Sequence, residues 1–496
     1  MALLELLSLL TLRSALLGLA VFALVAWLVR RPRNLPPGPT GWPLVGYLPQ
    51  LVLRGHEYRT FTELARTHGD VFSMNLCGQL MVVLNGHAAI REALGHQDTA
   101  DRPATSFYRD ATSDPDALGV GVASGSQWTE QRKFSLTVLK NLGMGKARFE
   151  DAIAASAAEV VREVRELGGQ PFDPSARLYA AVSSIICGLI LGRTFDSSSA
   201  KFRRVLRLIT RNFELAGGAS LYMFVSALRL LSFTAAAREL KGNFRQVLQY
   251  IEEQVDGHKR DLDPDNQRDF IDVFLAEVAR GGDKKSHLTS SNLILTLVDL
   301  FVGGSETTST SLRWGLLYMV LNPEVQGRVQ AELDAVVGRN RLPRLADKPS
   351  LPYTEATLLE VQRMGSIAAL VMPHMVAKDT PLLGYDIPRG TFLIANLWAV
   401  NRDPKLWPEP EKFSPERFLG EDGKVKHRPE FTPFSTGRRV CLGEQLAKME
   451  LFIFFSYFLH QFTFKKPDES KPLTFDTING LTLSPSPYEI RAIPRA

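Results

Sequence analysis

Ser291 to Leu321 is a run of about 30 residues, apolar almost throughout, with Ser290 and Ser291 as candidate N-caps and Asn322-Pro323 as its stop. At 1.5 Å per residue it spans ~45 Å as a helix, the full width of a folded body of this size. A helix apolar on every side belongs at the centre of a protein rather than on its surface. Whatever surrounds it must therefore be largely helical. Its midpoint breaks the pattern: Gly303-Gly304-Ser305-Glu306-Thr307-Thr308 brings two glycines, an acid and hydroxyls into the apolar run. Helical periodicity recurs at Glu150–Glu166, Phe244–Val255, Asp269–Val278 and Gly443–His460. Strand signals are few. Val71–Leu76 and Leu80–Leu84 read as a hairpin around Gly78, and a second hairpin is expected about Pro388-Arg389-Gly390. The expectation is a mainly α fold with a minor β region.

No internal repeat or low-complexity tract divides the 496 residues, so one large body is expected despite a length that suits two to four domains of ~150 residues. Fifty-eight Lys+Arg against 53 Asp+Glu leave a net charge of +5, spread along the chain. No dense basic run carries interleaved aromatics, so nucleic acid is not an indicated partner. Three cysteines, Cys77, Cys187 and Cys441, lie far apart and exclude a disulfide framework and a four-thiolate cluster. Gly119-Val120-Gly121 with Gly125 misses the dinucleotide-binding spacing, and no phosphate-binding loop, zinc-protease motif or nucleophile elbow occurs.

At the amino end, Ala15 to Val29 is unbroken apolar sequence followed by Arg30, Arg31 and Arg33. Starting near Leu9, with Arg13 snorkelling at the outer end, it reaches the about 20 residues a bilayer requires. The basic cluster after the helix predicts that the following domain stays cytosolic, and a cleaved signal would place its charge before the apolar run. Residues 1–33 are thus expected to be a membrane anchor. Residues 34–41, holding Leu35-Pro36-Pro37-Gly38-Pro39, read as a stiff hinge, and residues 42–496 as a single catalytic domain. A mitochondrial presequence is disfavoured by Glu5 and by the unbroken apolar run.

The segment Phe434-Ser435-Thr436-Gly437-Arg438-Arg439-Val440-Cys441-Leu442-Gly443 leads directly into a helical pattern. A thiol there meets free backbone N–H groups and the positive end of the helix dipole, which favour the metal-ligating thiolate. Gly437 and Gly443 permit a tight loop and close approach to a large flat group, against which Phe434 can pack. Arg439 offers a fork for a carboxylate. Alone, Cys441 would read as a buried structural residue. The full F-x-x-G-x-R-x-C-x-G spacing, however, arises by chance on the order of once in ten thousand such chains.

This segment resembles the haem-binding signature of the cytochrome P-450 monooxygenases, with Cys441 in the place of the axial thiolate. Three further family motifs follow in order: Gly303–Thr308 resembles the oxygen-activating stretch, Glu360-Val361-Gln362-Arg363 the E-x-x-R of a late helix, and Pro415-Glu416-Arg417-Phe418 the P-E-R-F stretch. Leu351-Pro352-Tyr353-Thr354-Glu355-Ala356 and Arg268-Asp269-Phe270-Ile271-Asp272 are similar to the microsomal family 2 type, within which fatty-acid and sterol or vitamin D hydroxylases are the nearest likenesses. The resemblance implies the P-450 fold behind one transmembrane helix. It also implies haem b held through Cys441, with Trp128, Arg132, His374, Arg439 and Arg102 at the propionates and Phe434, Gly437 and Gly443 in the cofactor loop. A thiolate trans to oxygen favours O–O cleavage. Thr307, expected to bond back to the Gly303 carbonyl and bend the helix, would hydrogen-bond dioxygen, and Glu306 would help relay protons. Glu360, Arg363 and Arg417 would form a buried ionic triad that holds the fold.

The resemblance implies pocket walls in Pro103–Val122, Phe202–Thr234, the central helix before Glu306, Ser366–Met372 and Asn479–Leu483, with Gly303, Ile367, Leu370, Val371 and Leu481 expected to face an apolar small-molecule substrate. The implied activity is insertion of one oxygen atom of O2 into a C–H bond of a fatty acid, sterol or xenobiotic, a long-chain fatty acid being the first expectation. A steroid or vitamin D-type hydroxylase, an O2-independent haem isomerase and a non-catalytic haem or lipid carrier are the alternatives. With no flavin, nicotinamide or iron–sulfur motif in the chain, electrons are expected from NADPH–cytochrome P-450 reductase, with cytochrome b5 as a second candidate partner. Arg132, Lys133, Lys140, Lys146, Arg148, Arg428 and Arg438 are candidates for the docking face. The expected location is the endoplasmic reticulum membrane, in contact with its lipid.

Overall fold

The computed structural model describes residues 14–22, 34–103, 114, 116–145, 147–192, 199–217, 234–280, 286–470 and 472–495. The long helix spans Ser290–Leu321 and is flanked by Ser175–Leu191, Ala235–Arg260, Pro352–Gly365 and Glu444–Gln461. Its cap is Thr289 rather than Ser290 or Ser291: the extended Thr289 backbone lets its hydroxyl accept from the Asn292 amide at 3.2 Å. Pro323, which cannot continue the helix, opens the next one, Pro323–Val336. Gly303–Thr308 does not interrupt the helix, which remains α-helical throughout. Several of its hydroxyls bond back one turn, Thr307 donating to Gly303 O, Ser309 to Ser305 O and Ser311 to Thr307 O, each at 2.8 Å, while Ser305 Oγ is buried without a partner. The other expected helices are also present: Ala147–Glu166, Ala235–Arg260, Phe270–Ala279 and Glu444–Gln461.

The minor β region centres on a four-stranded sheet. Strands β1 (Val71–Leu76) and β2 (Gln79–Leu84) pair antiparallel across a two-residue turn, Cys77-Gly78, in which both residues have positive φ. Between them and the next sheet strand in space come β3 (His374–Met375), β4 (Thr380–Leu382) and β5 (Tyr385–Ile387); β6 (Phe392–Ala395) then runs parallel to β2 and antiparallel to β3. The expected hairpin about Pro388-Arg389-Gly390 does not form. The turn is there, with Thr391 N donating to Pro388 O, but it carries the chain from β5, paired with β4, into the other sheet. Two further strand pairs are peripheral: β7 (Phe462–Lys465) lies beside β10 (Arg491–Pro494), and β8 (Thr477–Asn479) beside β9 (Leu483–Pro485). The largest core fills the space between the helices, and two smaller cores cover the faces of the four-stranded sheet.

The anchor expectation falls mostly outside the described residues. Residues 14–22 are helical, with Leu16, Leu17, Leu19, Val21 and Phe22 exposed. Among the described residues no helix is long and apolar enough to cross a membrane. The proline segment is not a free strut. Ser73 on β1 donates its amide to Pro37 O and its hydroxyl to Pro36 O, both at 2.7 Å, and Asp386 N donates to Asn34 O at 3.0 Å. A Cβ at Gly38 would lie 1.8 Å from Ser73 O, so glycine is required for this segment to lie along the strand.

Candidate active site

Cys441 sits in the turn between the Gly437–Arg439 helical turn and the Glu444–Gln461 helix, its amide donating to Phe434 O at 3.0 Å. The residue is exposed, although the packed loop around it pushes its thiol up by desolvation; the Gly443 and Glu444 amides and the Arg132 charge pull the other way. The amides favouring the thiolate are therefore where the sequence places them, but in the chain alone they do not overcome burial. Gly437 has a different task from the one expected. Its φ is +76°, and a Cβ would come within 2.0 Å of Leu94 O, so it seats the loop against the His87–Gly95 helix. Gly443 has open space where a Cβ would be, which suits a flat group lying over the loop. Phe434 is half-buried, with Lys448 Nζ over its ring.

Beside the cysteine the structure gathers Arg102, Trp128, Arg132, His374 and Arg439. Arg132 donates to Val440 O at 2.6 Å, Arg102 to Pro373 O at 3.0 Å and to Met372 O, and Arg439 stacks 4.0 Å over the Trp128 ring. The Arg439 fork is largely spent on the backbone: its donors reach the carbonyls of Ala100, Val120 and Ala123, so it contributes charge more than a free bidentate grip. Burial, and then the neighbouring cations, push Arg102 down to about 9 and Arg439 down to about 8. His374 is driven well below its ordinary value for the same reasons. Its Nδ1 faces the Thr99 carbonyl at 2.8 Å, so Nδ1 carries the proton. Among the described residues, the hydrogen bonds these three arginine side chains donate go to backbone carbonyls. Three buried atoms here lack partners: Arg102 Nε, Trp128 Nε1 and His374 Nε2. Clustered cations and orphaned donors next to a thiol fit a planar, dianionic, thiolate-ligated cofactor, and haem with its two propionates meets that description.

Thr307 and Gly303 line a cavity of about 400 Å³ together with Ile367, Leu370, Val371 and Leu481, so the five residues expected to face a substrate line one cavity. Of the expected walls, residues 104–113, 115 and 218–233 lie outside the described residues. Glu306 does not line the cavity. It is 5% exposed and accepts a hydrogen bond from Thr310 at 3.2 Å, and burial pushes its carboxyl up to about 7. The ionic triad is as expected. Arg363 meets Glu360 at 2.7 and 2.8 Å, and Arg417 reaches the same carboxylate at 3.1 Å; Glu360 and Arg363 are both fully buried.

Three acids escaped sequence reasoning. Asp299 accepts the Gly121 amide at 2.8 Å; it lies one turn before Gly303 on the same stripe of the central helix, a spacing that could have revealed it. Glu57 lines the cavity from the first turn of the Glu57–His68 helix, and Glu450 is buried near Thr308, its carboxyl pushed up to about 8. No motif marks either. Asp269 and Asp272 of the family 2-like stretch prove structural, Asp269 capping its helix and bonding His258, and Asp272 holding Arg268. Among the docking candidates, Arg428 is tied to Glu430, while Lys146 and the side chain of Arg148 lie outside what is described.

The family description "Cytochrome P450" matches residues 36–492. The chain is 41% identical over 469 residues to Cytochrome P450 2J5 of Mus musculus, covering 94% of this chain and 92% of the relative. It is 38% identical to Cytochrome P450 2U1 of Homo sapiens, with 96% and 93% covered, and 39% identical to Cytochrome P450 2D6 of Homo sapiens, with 96% and 97% covered.

Proposed function

Since the chain belongs to the cytochrome P450 family and is a haem-thiolate monooxygenase, we propose that it hydroxylates C–H bonds of a long-chain, lipid-like small molecule held in the Thr307 cavity. The observation that carries this reading is an apolar cavity lined by Thr307 whose Met372 and Pro373 carbonyls accept from Arg102, a member of the cationic group that reaches Cys441 through Arg132. The chemistry supplied by a haem bound through Cys441 is cleavage of dioxygen, one atom going to the substrate and the other to water.

The protein's own groups bind, orient and move protons. Arg102, Arg132 and Arg439 would neutralise the haem propionates, with Trp128 Nε1 as a further donor. A negative charge there also raises the affinity of His374 Nε2 for a proton. Thr307 Oγ1 commits its proton to Gly303 O, which leaves its lone pairs to accept from the cavity side. Glu306, near neutrality in its proton affinity and one residue away, stores a proton behind the helix rather than in the cavity. Ile367, Leu370 and Val371 keep water from the chain of the substrate.

Electrons come from an external redox partner. NADPH–cytochrome P-450 reductase is the proposed donor and cytochrome b5 a second, docking on a face that includes Arg438 of the Cys441 loop and Lys133 and Lys140 of the Gly125–Leu142 helix, which meets that loop through Arg132. Residues 1–33 are proposed to hold the enzyme on the endoplasmic reticulum membrane with the body cytosolic.

The test is the absorption spectrum of the reduced protein with carbon monoxide. A thiolate-ligated haem moves the main band far to the red, and Cys441→Ser abolishes that shift. A folded, haem-loaded wild type without the shifted band overturns the assignment. A product screen with added reductase over fatty acids, sterols and drugs then identifies the substrate.

A further inference from the structure

The cavity wall is apolar except for a few groups, and the charged ones share a sign. Glu57 and Asp299 both line it, while no Lys, Arg or His does among the described residues. Asp299 is committed to the Gly121 amide. Glu57 is 8% exposed, and the hydrogen bond it receives from a described side chain comes from Asn479 Nδ2, 3.2 Å from Oε2, so Oε1 remains available to a ligand. Asn479 is held in place by the turn that follows it, where Leu481 N donates to Phe213 O at 3.2 Å. Next to Glu57 in sequence, Tyr58 lines both this cavity and a neighbouring cleft; it is 2% exposed, and its hydroxyl, buried without a hydrogen-bond partner, interacts electrostatically with Arg402 of that second cleft. The nearest cation on the same helix, Arg59, is exposed, lies over the Tyr58 ring at 5.8 Å and lines the second cleft.

A carboxylate oxygen left free at one corner of an otherwise apolar cavity, with the buried and unpartnered Asn212 Oδ1 also among its lining, makes a receptor for a hydrogen-bond donor. An anion brought to that corner would lose its hydration and meet a like charge in a medium of low dielectric constant. We infer that Glu57 is a specificity-determining residue that selects substrates whose polar end is a hydrogen-bond donor, neutral or cationic, over free carboxylates of the same chain length. This rests on the proposed lipid-like substrate and names its head group: an alcohol, amide or ammonium derivative of a long alkyl chain.

The test uses haem-loaded full-length enzyme and three probes with one alkyl chain, dodecyldimethylammonium, which keeps one N–H, dodecanol and dodecanoate, in equilibrium dialysis at mildly alkaline pH and below micelle-forming concentrations. Wild type is expected to bind the first two about tenfold or more tighter than dodecanoate. Glu57→Gln, which keeps the shape, should bring the ammonium and carboxylate probes to within about threefold of each other, and Glu57→Lys should reverse their order. Dodecanoate binding to wild type as tightly as the other two, or a Glu57→Gln variant with the wild-type ratio, overturns the inference. Should Glu57→Lys fail to fold, the Gln variant decides alone. The carbon monoxide band reports the haem-thiolate reading separately, so the two can fail independently.

Discussion

Glu306→Gln isolates the consequence of burying an acid behind the oxygen-activating turn. The carboxyl is 5% exposed, and burial dominates over the Thr310 hydrogen bond and the Arg313 charge, raising it from 4.5 to about 7. The folded protein therefore keeps a proton that the unfolded chain releases near 4.5. The resulting stabilisation is complete below the unfolded value and is lost as pH rises through the folded one. At about 1.4 kcal/mol for each tenfold step, the difference amounts to roughly 3 kcal/mol between acid and neutral pH. Glutamine can still accept from Thr310 but has no proton to lose. Urea unfolding of the haem-loaded protein, followed by tryptophan fluorescence, should show the variant level with wild type near about pH 4.5 and more stable by up to roughly 3 kcal/mol above about pH 7. Glu450 adds a slope of the same sign, pushed up to about 8 by burial, but that slope is common to both proteins and cancels in the difference. Parallel stability curves across this range would refute the account of Glu306.

Arg363→Ala strands the fully buried Glu360 and removes donors from Asn401 O and Pro410 O, so a loss of roughly 3–5 kcal/mol is expected in the same unfolding assay. Gly437→Ala combines a left-handed backbone with a Cβ 2.0 Å from Leu94 O; the loop must move, and the purified variant should hold less haem per chain than wild type. Thr307→Ala should keep the shifted carbon monoxide band while sending more of the consumed electrons to peroxide, and unchanged coupling would count against its role in proton handling.

Much of the site could be read from the chain because its parts are local. The Phe434–Gly443 loop, the Glu360–Arg363 pair and the Thr307–Gly303 bond each lie within ten consecutive residues, where spacing translates directly into geometry. What could not be read depends on distant partners. Gly437 answers to Leu94, Glu57 to Asn479 and the proline segment to Ser73, and no periodicity in one segment announces the other. The turn at Pro388-Arg389-Gly390 has every local sign of a hairpin, yet β6 finds better cover beside β2, whose Val83 and Leu84 are fully buried.

That pairing of β2 with β6 joins Met81 to Phe392 and Leu84 to Ala395, across most of the length of the chain. During synthesis, the β1–β2 hairpin leaves the ribosome long before its parallel neighbour exists, with an apolar edge open to any other strand. Contacts so remote in sequence close slowly. The sheet that carries His374 is thus among the last parts of the molecule to be completed, and newly made chains stay dependent on chaperones until the carboxyl-terminal third has emerged.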